Sequence, residues 1–105
     1  MAQFTVYKNS GKNKSIYPFF IDVQSDLLSH LSTRIVMPIA LKTSENSQIN
    51  QVTPAFLIKG REYVVISQMV TTVSANMLKE EAIVVQAEYL RNKIVSAVDL
   101  LFTGI

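Results

Sequence analysis

The 105-residue sequence predicts a mostly β domain (class α+β) with an antiparallel sheet closed by one C-terminal helix. Three observations carry that prediction. Short runs rich in branched and aromatic residues alternate with clusters of Asn, Gly, Ser and Lys, the pattern of strands separated by turns. Pro54–Ile58 and Tyr63–Ile66 flank Lys59-Gly60-Arg61-Glu62, a hairpin signature. In the last twenty residues the apolar period changes, and Leu90, Ile94, Ala97, Val98 and Leu101 recur at the three- and four-residue steps of one helix face. Sequential strands with short connections favour antiparallel pairing.

The elements follow in chain order. Phe4, Thr5 and Val6 begin a short alternating strand, and Lys8–Ser15 is a polar connection. Tyr17–Val23 is a second strand, with Pro18 near its start or at an edge because it has no amide hydrogen for a ladder. Gln24–Thr33 reads as a turn or a single helical turn, capped by Ser25 or Asp26. Arg34–Leu41 is a near-continuous apolar run, hence a buried strand, and Pro38 marks a bend or bulge in it. Lys42–Thr53 is a long polar excursion with room for short pairing of its own. Gln68–Val73 and Ala75–Leu78 continue the β character after the hairpin. Val84 and Val85 either extend a strand or begin the helix. At the helix end, Gly104 suits a left-handed cap.

Two features of that ending are unusual. Asp99 lies in the last turn, where the carbonyl end of the helix dipole disfavours negative charge. Phe102 and Ile105 place bulky apolar groups where chains usually turn polar. Two readings stand side by side: Ile105 folds back onto Leu100 in the contact of a Schellman ending, or the tip is a recognition surface.

Length bounds the chain to one domain, residues 1–105, with a single core. A hydrophobic content of 49% argues against disorder. The net charge of +2 is mild, and its ten Lys and Arg are spread along the chain rather than gathered as in a nucleic-acid binder. The balance permits an acidic partner. With no cysteine, disulfides, thiolate metal sites and cysteine nucleophiles are excluded. The beginning carries no signal-peptide pattern and no apolar run is long enough to span a bilayer, so a cytoplasmic location is expected.

Candidate chemistry is sparse. His30 is the only histidine, with Asp26, Ser25 and Ser29 nearby, but adjacency in sequence does not supply triad geometry. Asp22 and Asp26 read as turn formers rather than a carboxylate pair. The three glycines are too scattered for a phosphate loop, and no helix carries zinc-hydrolase spacing. Lys12, Lys14, Arg34, Arg61 and Arg91 lack an accompanying aromatic stacking motif. No metal or cofactor is expected. An apolar tip with mild basicity suits a binding protein better than an enzyme.

Three blocks resemble the CcdB family of toxins from bacterial toxin–antitoxin pairs. They are Phe4-Thr5-Val6-Tyr7; Phe20-Ile21-Asp22-Val23-Gln24-Ser25-Asp26-Leu27-Leu28 with Arg34-Ile35-Val36-Met37-Pro38-Ile39-Ala40; and the closing helix from Asn92 to Ile105. The Asp-Val-Gln-Ser-Asp block is the most specific. The resemblance implies a five-stranded antiparallel sheet of SH3-like barrel type, a small extra sheet and a C-terminal helix, in a symmetric homodimer. It implies a non-enzymatic action: binding the A subunit of DNA gyrase and trapping the enzyme on cleaved DNA, neutralised by an acidic disordered antitoxin segment. Carried over residue by residue, the gyrase contacts are Leu27, Leu28, Asp99, Phe102, Thr103, Gly104 and Ile105. For an acidic antitoxin, Lys8, Lys12 and Lys14 are the expected attraction. The best-known pattern has Asn at the position of Asp99 and Trp at that of Thr103, and such a Trp anchor commonly contributes more than ~2 kcal/mol. Two alternatives follow: a relative that binds its antitoxin with a lost or changed target, or a ribonuclease toxin of related fold using His30, Arg34 and Arg61.

Overall fold

The structure, a computed structural model, describes residues 2–104. Its strands are β1 (Thr5–Lys8), β2 (Phe19–Asp22), β3 (Thr33–Leu41), β4 (Ala55–Ile58), β5 (Arg61–Val65), β6 (Thr71–Ser74) and β7 (Ile83–Gln86), followed by helix α1 (Arg91–Thr103). All pairings are antiparallel. The strands join in one curled sheet of order β4-β5-β3-β2-β1-β7, with β6 also on β3. The expected mostly β class with one closing helix is present, but the expected five-stranded sheet and separate small sheet are one seven-stranded sheet.

Strand β3 accounts for that difference. Its nine residues are long enough for two partners on one edge: β6 pairs with Thr33–Val36 and β5 with Ile39–Leu41. Pro38 sits at the changeover. Its carbonyl accepts the Ile66 amide at 2.9 Å, so its backbone faces that outer edge. The missing N–H therefore falls in the gap between the two ladders, where no partner is denied a bond.

The hairpin is tighter than its signature suggested. Only Lys59 and Gly60 form the loop, with φ of 50° and 81°, the doubly left-handed geometry of a two-residue turn that matches sheet twist. Val84 and Val85 belong to a strand, and α1 starts later, after a 3-10 turn over Glu88–Leu90. Lys42–Thr53 forms turns rather than strands; Thr43 and Asn46 bond each other's amides at 2.8 and 3.1 Å.

The main core lies between one sheet face and α1. Phe4, Val6, Ile21, Met37, Ile39 and Phe56 meet Leu90 and Ile94 there, with Val98 packed against them. Phe4 holds φ 66°, a left-handed conformation costly for an aromatic residue. The Arg91 guanidinium lies 4.9 Å from its ring centroid, and the Phe4 carbonyl accepts the Ala87 amide. These contacts tie the start of α1 to the beginning of the sheet.

The opposite face carries a smaller core of Tyr7, Val36 and Leu78 and, beside it, a fully buried ion pair. Arg34 Nε donates to Asp22 Oδ2 at 2.9 Å and its Nη2 lies 2.8 Å from the same oxygen. Asp22 Oδ1 also accepts the Gln24 amide at 3.1 Å. Burial nevertheless pushes the Asp22 carboxyl above its ordinary value, against the opposing pull of Arg34. Tyr7 is pushed up by burial and by the neighbouring Asp22 charge.

A pair whose desolvation outweighs its attraction has a defined mutational signature. Asp22→Ala or Arg34→Ala should each cost about 3–5 kcal/mol in urea unfolding, since either leaves one buried charge alone. The double replacement Asp22→Leu with Arg34→Met should cost much less than the two single losses combined. The sign of the pH effect is also fixed. Because the folded Asp22 pKa is raised, the folded state holds this proton more firmly than the unfolded chain. The stabilisation is complete below the unfolded pKa and is lost as pH rises through the folded one. Acid titration of wild type against Asp22→Asn should show that slope only in the wild type.

Candidate interaction surface

The Asp-Val-Gln-Ser-Asp block builds a platform rather than a catalytic site. Ser25 caps a 3-10 turn over Asp26–Leu28, its hydroxyl accepting the Leu27 amide at 3.2 Å. Gln24 is buried and links three segments: its Nε2 donates to the Leu28 carbonyl at 2.9 Å, its Oε1 accepts the Ile35 amide at 3.1 Å, and its own carbonyl lies 3.5 Å from Arg34 Nη2. Asp26 accepts the Gln3 amide at 2.9 Å. Buried Asp22 and Gln24 fix the turn from within while Asp26 stays exposed, and Leu27 and Leu28 are turned out. Leu27 is 89% exposed, with no packing role to explain a leucine there.

The helix tip shows a similar inversion. Leu90, Ile94 and Ala97 are buried as the periodicity predicts, but Leu101 is exposed. The apolar stripe of α1 outruns the core it covers. Beyond Val98 it opens on an apolar groove of about 400 Å³, lined by Val23, Ile35, Met37, Val98, Leu101 and Phe102. Ile35, in its lining, is tied to the Leu27–Leu28 turn through Gln24, which bonds the Ile35 amide and the Leu28 carbonyl; Leu27 and Leu28 themselves stand outside the groove. Phe102 stands 76% exposed at its end.

Asp99 and Thr103 occupy a different stripe. With Asn92 and Ser96 they recur at helix-face spacing on the polar side of α1. The Thr103 hydroxyl donates back to the Asp99 carbonyl at 2.7 Å, so it is satisfied within the helix. The Asp99 carboxylate is exposed, with no cation within salt-bridge distance among the described residues. Gly104 has φ 74°, the left-handed cap conformation, and its amide bonds the Leu100 carbonyl at 3.1 Å. Ile105, expected at the tip, lies outside the described residues.

Lys8 ends β1, while Lys12 and Lys14 lie in the following loop, and all three are exposed. The loop is held from within by Asn9, which is buried, donates to Tyr17 O at 2.7 Å and accepts the Gly11 amide at 2.8 Å. The lysines are thereby left outside.

The residues suspected for ribonuclease chemistry do not converge. Arg34 is sealed against Asp22, its Nη1 buried without a partner. His30 is exposed in the turn before β3. Arg61 begins β5 at the hairpin, beyond the Leu41 end of β3. Seven residues of extended strand, about 24 Å, separate Arg34 from Leu41. Sequence reasoning named Arg34 for catalysis only through the ribonuclease alternative of related fold. The signal for its true place was Asp22, which the pairing register sets beside it.

No group of three or more metal-ligating side chains occurs among the described residues, and no helix of theirs is long and apolar enough to cross a membrane.

If the outward leucine and phenylalanine serve recognition, removing them leaves the fold alone. Leu27→Ser and Phe102→Ser should each shift the unfolding free energy by less than about 0.5 kcal/mol, measured by denaturant titration. A loss comparable to that of a core leucine would place them in the folded core instead.

The sequence model of the family described as CcdB protein matches residues 3–104, which spans every element above from the Gln3 anchor to the Gly104 cap. The chain therefore belongs to the CcdB family, and its type is that of a toxin from a toxin–antitoxin pair.

Proposed function

We propose that this protein acts as a homodimer that binds the A subunit of DNA gyrase and traps the enzyme on cleaved DNA, and that an acidic, disordered antitoxin segment neutralises it in the cytoplasm. Its action is binding rather than catalysis. The observation that carries this reading is the pair of outward apolar features, Leu27 on its braced turn and Phe102 at the helix tip, in a chain of this family. Large apolar groups that the fold leaves uncovered mark a partner surface. Leu27, Leu28, Phe102 and Gly104 would supply the gyrase contact, with Asp99, Thr103 and Ile105 beside them.

A second copy suits the groove between Val23, Ile35 and Leu101. An isologous contact there covers apolar surface and brings two tips near each other. Sedimentation at micromolar concentration should give twice the chain mass, and Leu101→Glu should give the monomer. A wild-type monomer across that range would remove the two-tipped ligand. Lys8, Lys12 and Lys14, outside the ion pairs of the described residues, would steer the acidic antitoxin. Its association should slow markedly as salt screens them.

One observation favours a second reading, a relative that keeps its antitoxin but has a weak or altered target. Thr103 presents no aromatic surface, and its hydroxyl is already engaged by Asp99. Gyrase cleavage-complex trapping by purified protein tests both readings. Thr103→Trp should strengthen trapping at least tenfold, equivalent to ~1.4 kcal/mol, with little change in stability because the site is exposed. A folded Thr103→Trp dimer that traps no better than its parent would assign the target elsewhere, and Asp99→Asn in that background would reveal whether the carboxylate is the obstacle.

A further inference from the structure

Strand β4 forms one end of the sheet, with β5 as its neighbour on one side and no strand on the other. The register fixes which of its backbone groups are free. Ile58 pairs with Arg61 across the two-residue turn, so the bonded positions are Ile58 and Phe56, and Pro54 continues the phase by accepting the Val65 amide at 2.9 Å. Ala55 and Leu57 consequently direct their N–H and C=O groups outward. Leu57 is also 62% exposed, and the strand contains no proline or charge of its own to blunt the edge.

The edge runs beside a cleft of about 490 Å³ between Pro54-Ala55 and the polar flank of α1. Asn50, Gln51, Asn92 and Ser96 line it, together with Lys42 and Lys93, and no carboxylate does. Lys59 stands at the turn, at the far end of the same edge. The nearby carboxylate is Glu62, 3.2 Å from Lys42 Nζ in an exposed pair that holds the lysine weakly. Lys42 and Lys93 in the cleft and Lys59 at the turn thus border an open strand edge, and neutral amide groups suited to peptide backbone line the cleft.

We propose that the β4 edge and its cleft bind an extended acidic peptide segment, added to the sheet as a further antiparallel or parallel strand. Backbone bonds to Ala55 and Leu57 give the segment its register, and alternate acidic side chains meet Lys93 and Lys42 at one end and Lys59 at the other. The surface is separate from the groove lined by Val98, Leu101 and Phe102: it uses the opposite flank of α1. It does not depend on gyrase as the target, nor on Lys8, Lys12 and Lys14 as the antitoxin's attraction.

The test is an amide-resolved NMR titration of the full chain with a short end-blocked peptide of alternating glutamate and valine, with an alternating lysine and valine peptide as control. The acidic peptide should shift the amides of Ala55, Leu57 and Lys93 and slow hydrogen exchange at Ala55 and Leu57. Lys93→Glu should weaken binding about tenfold or more at low salt, and N-methylating the peptide backbone should abolish it while leaving the protein unchanged. Shifts confined to the Lys8–Lys14 loop or to the helix tip would overturn the proposal. So would equal binding of the lysine peptide, or full binding of the N-methylated one.

Discussion

The Arg34–Asp22 pair is the constraint from which the outward Leu27–Leu28 turn follows. Two charges with no exposure to water occupy a place where hydrophobic residues of similar size would serve stability as well or better. Their presence has a geometric consequence. Asp22 must lie opposite the head of β3, its second oxygen must hold the Gln24 amide, and Gln24 must then bridge to Ile35 and Leu28. Each bond fixes the path of the chain between β2 and β3. By the time it reaches Leu27 the backbone has no freedom to turn that side chain inward.

The same logic, in apolar form, governs the helix. Packing of Leu90, Ile94 and Ala97 on the sheet sets the rotation of α1, and rotation decides what its last turn presents. Val98 and Leu101 remain in the apolar stripe but pass the end of the core, so they line a groove. Asp99 and Thr103 fall on the polar stripe and look away from it. The two departures from the family pattern therefore lie on one flank and the retained Phe102 on the other. A partner meeting both sides would find an apolar surface of the expected kind beside a carboxylate and a small hydroxyl. On the proposed gyrase reading, that division would make binding strength turn on Thr103 and Asp99 rather than on the fold.

Edges complete the picture. The curled sheet keeps β4 and β7 as ends, and β3 solves an internal edge by accepting two partners around Pro38. At β4 the free backbone groups of Ala55 and Leu57 are bordered by lysines. Cationic borders discourage pairing with another copy of the same edge, since like charges would be brought together. They favour an acidic strand for the same reason.

Much of this was written in the sequence. Strand-forming runs, the Lys59-Gly60 turn, the helical period and the Gly104 cap are local properties, fixed by branched side chains, left-handed φ and apolar spacing over a few residues. Family membership was legible in the Asp-Val-Gln-Ser-Asp block, and with it came the expectation that Leu27, Leu28 and Phe102 serve recognition. Other features depend on residues far apart in the chain, which local pattern does not encode. The union of the strands into one sheet rests on β6 finding the front half of β3, a pairing across more than thirty residues. Arg34 looked like a free cation until the register of β2 on β3 set Asp22 beside it. Leu101 looked like core until the sheet proved shorter than the helix. In each case the sequence by itself determined the character of the side chain, and the tertiary structure alone decided whether a neighbour stood within reach to satisfy it.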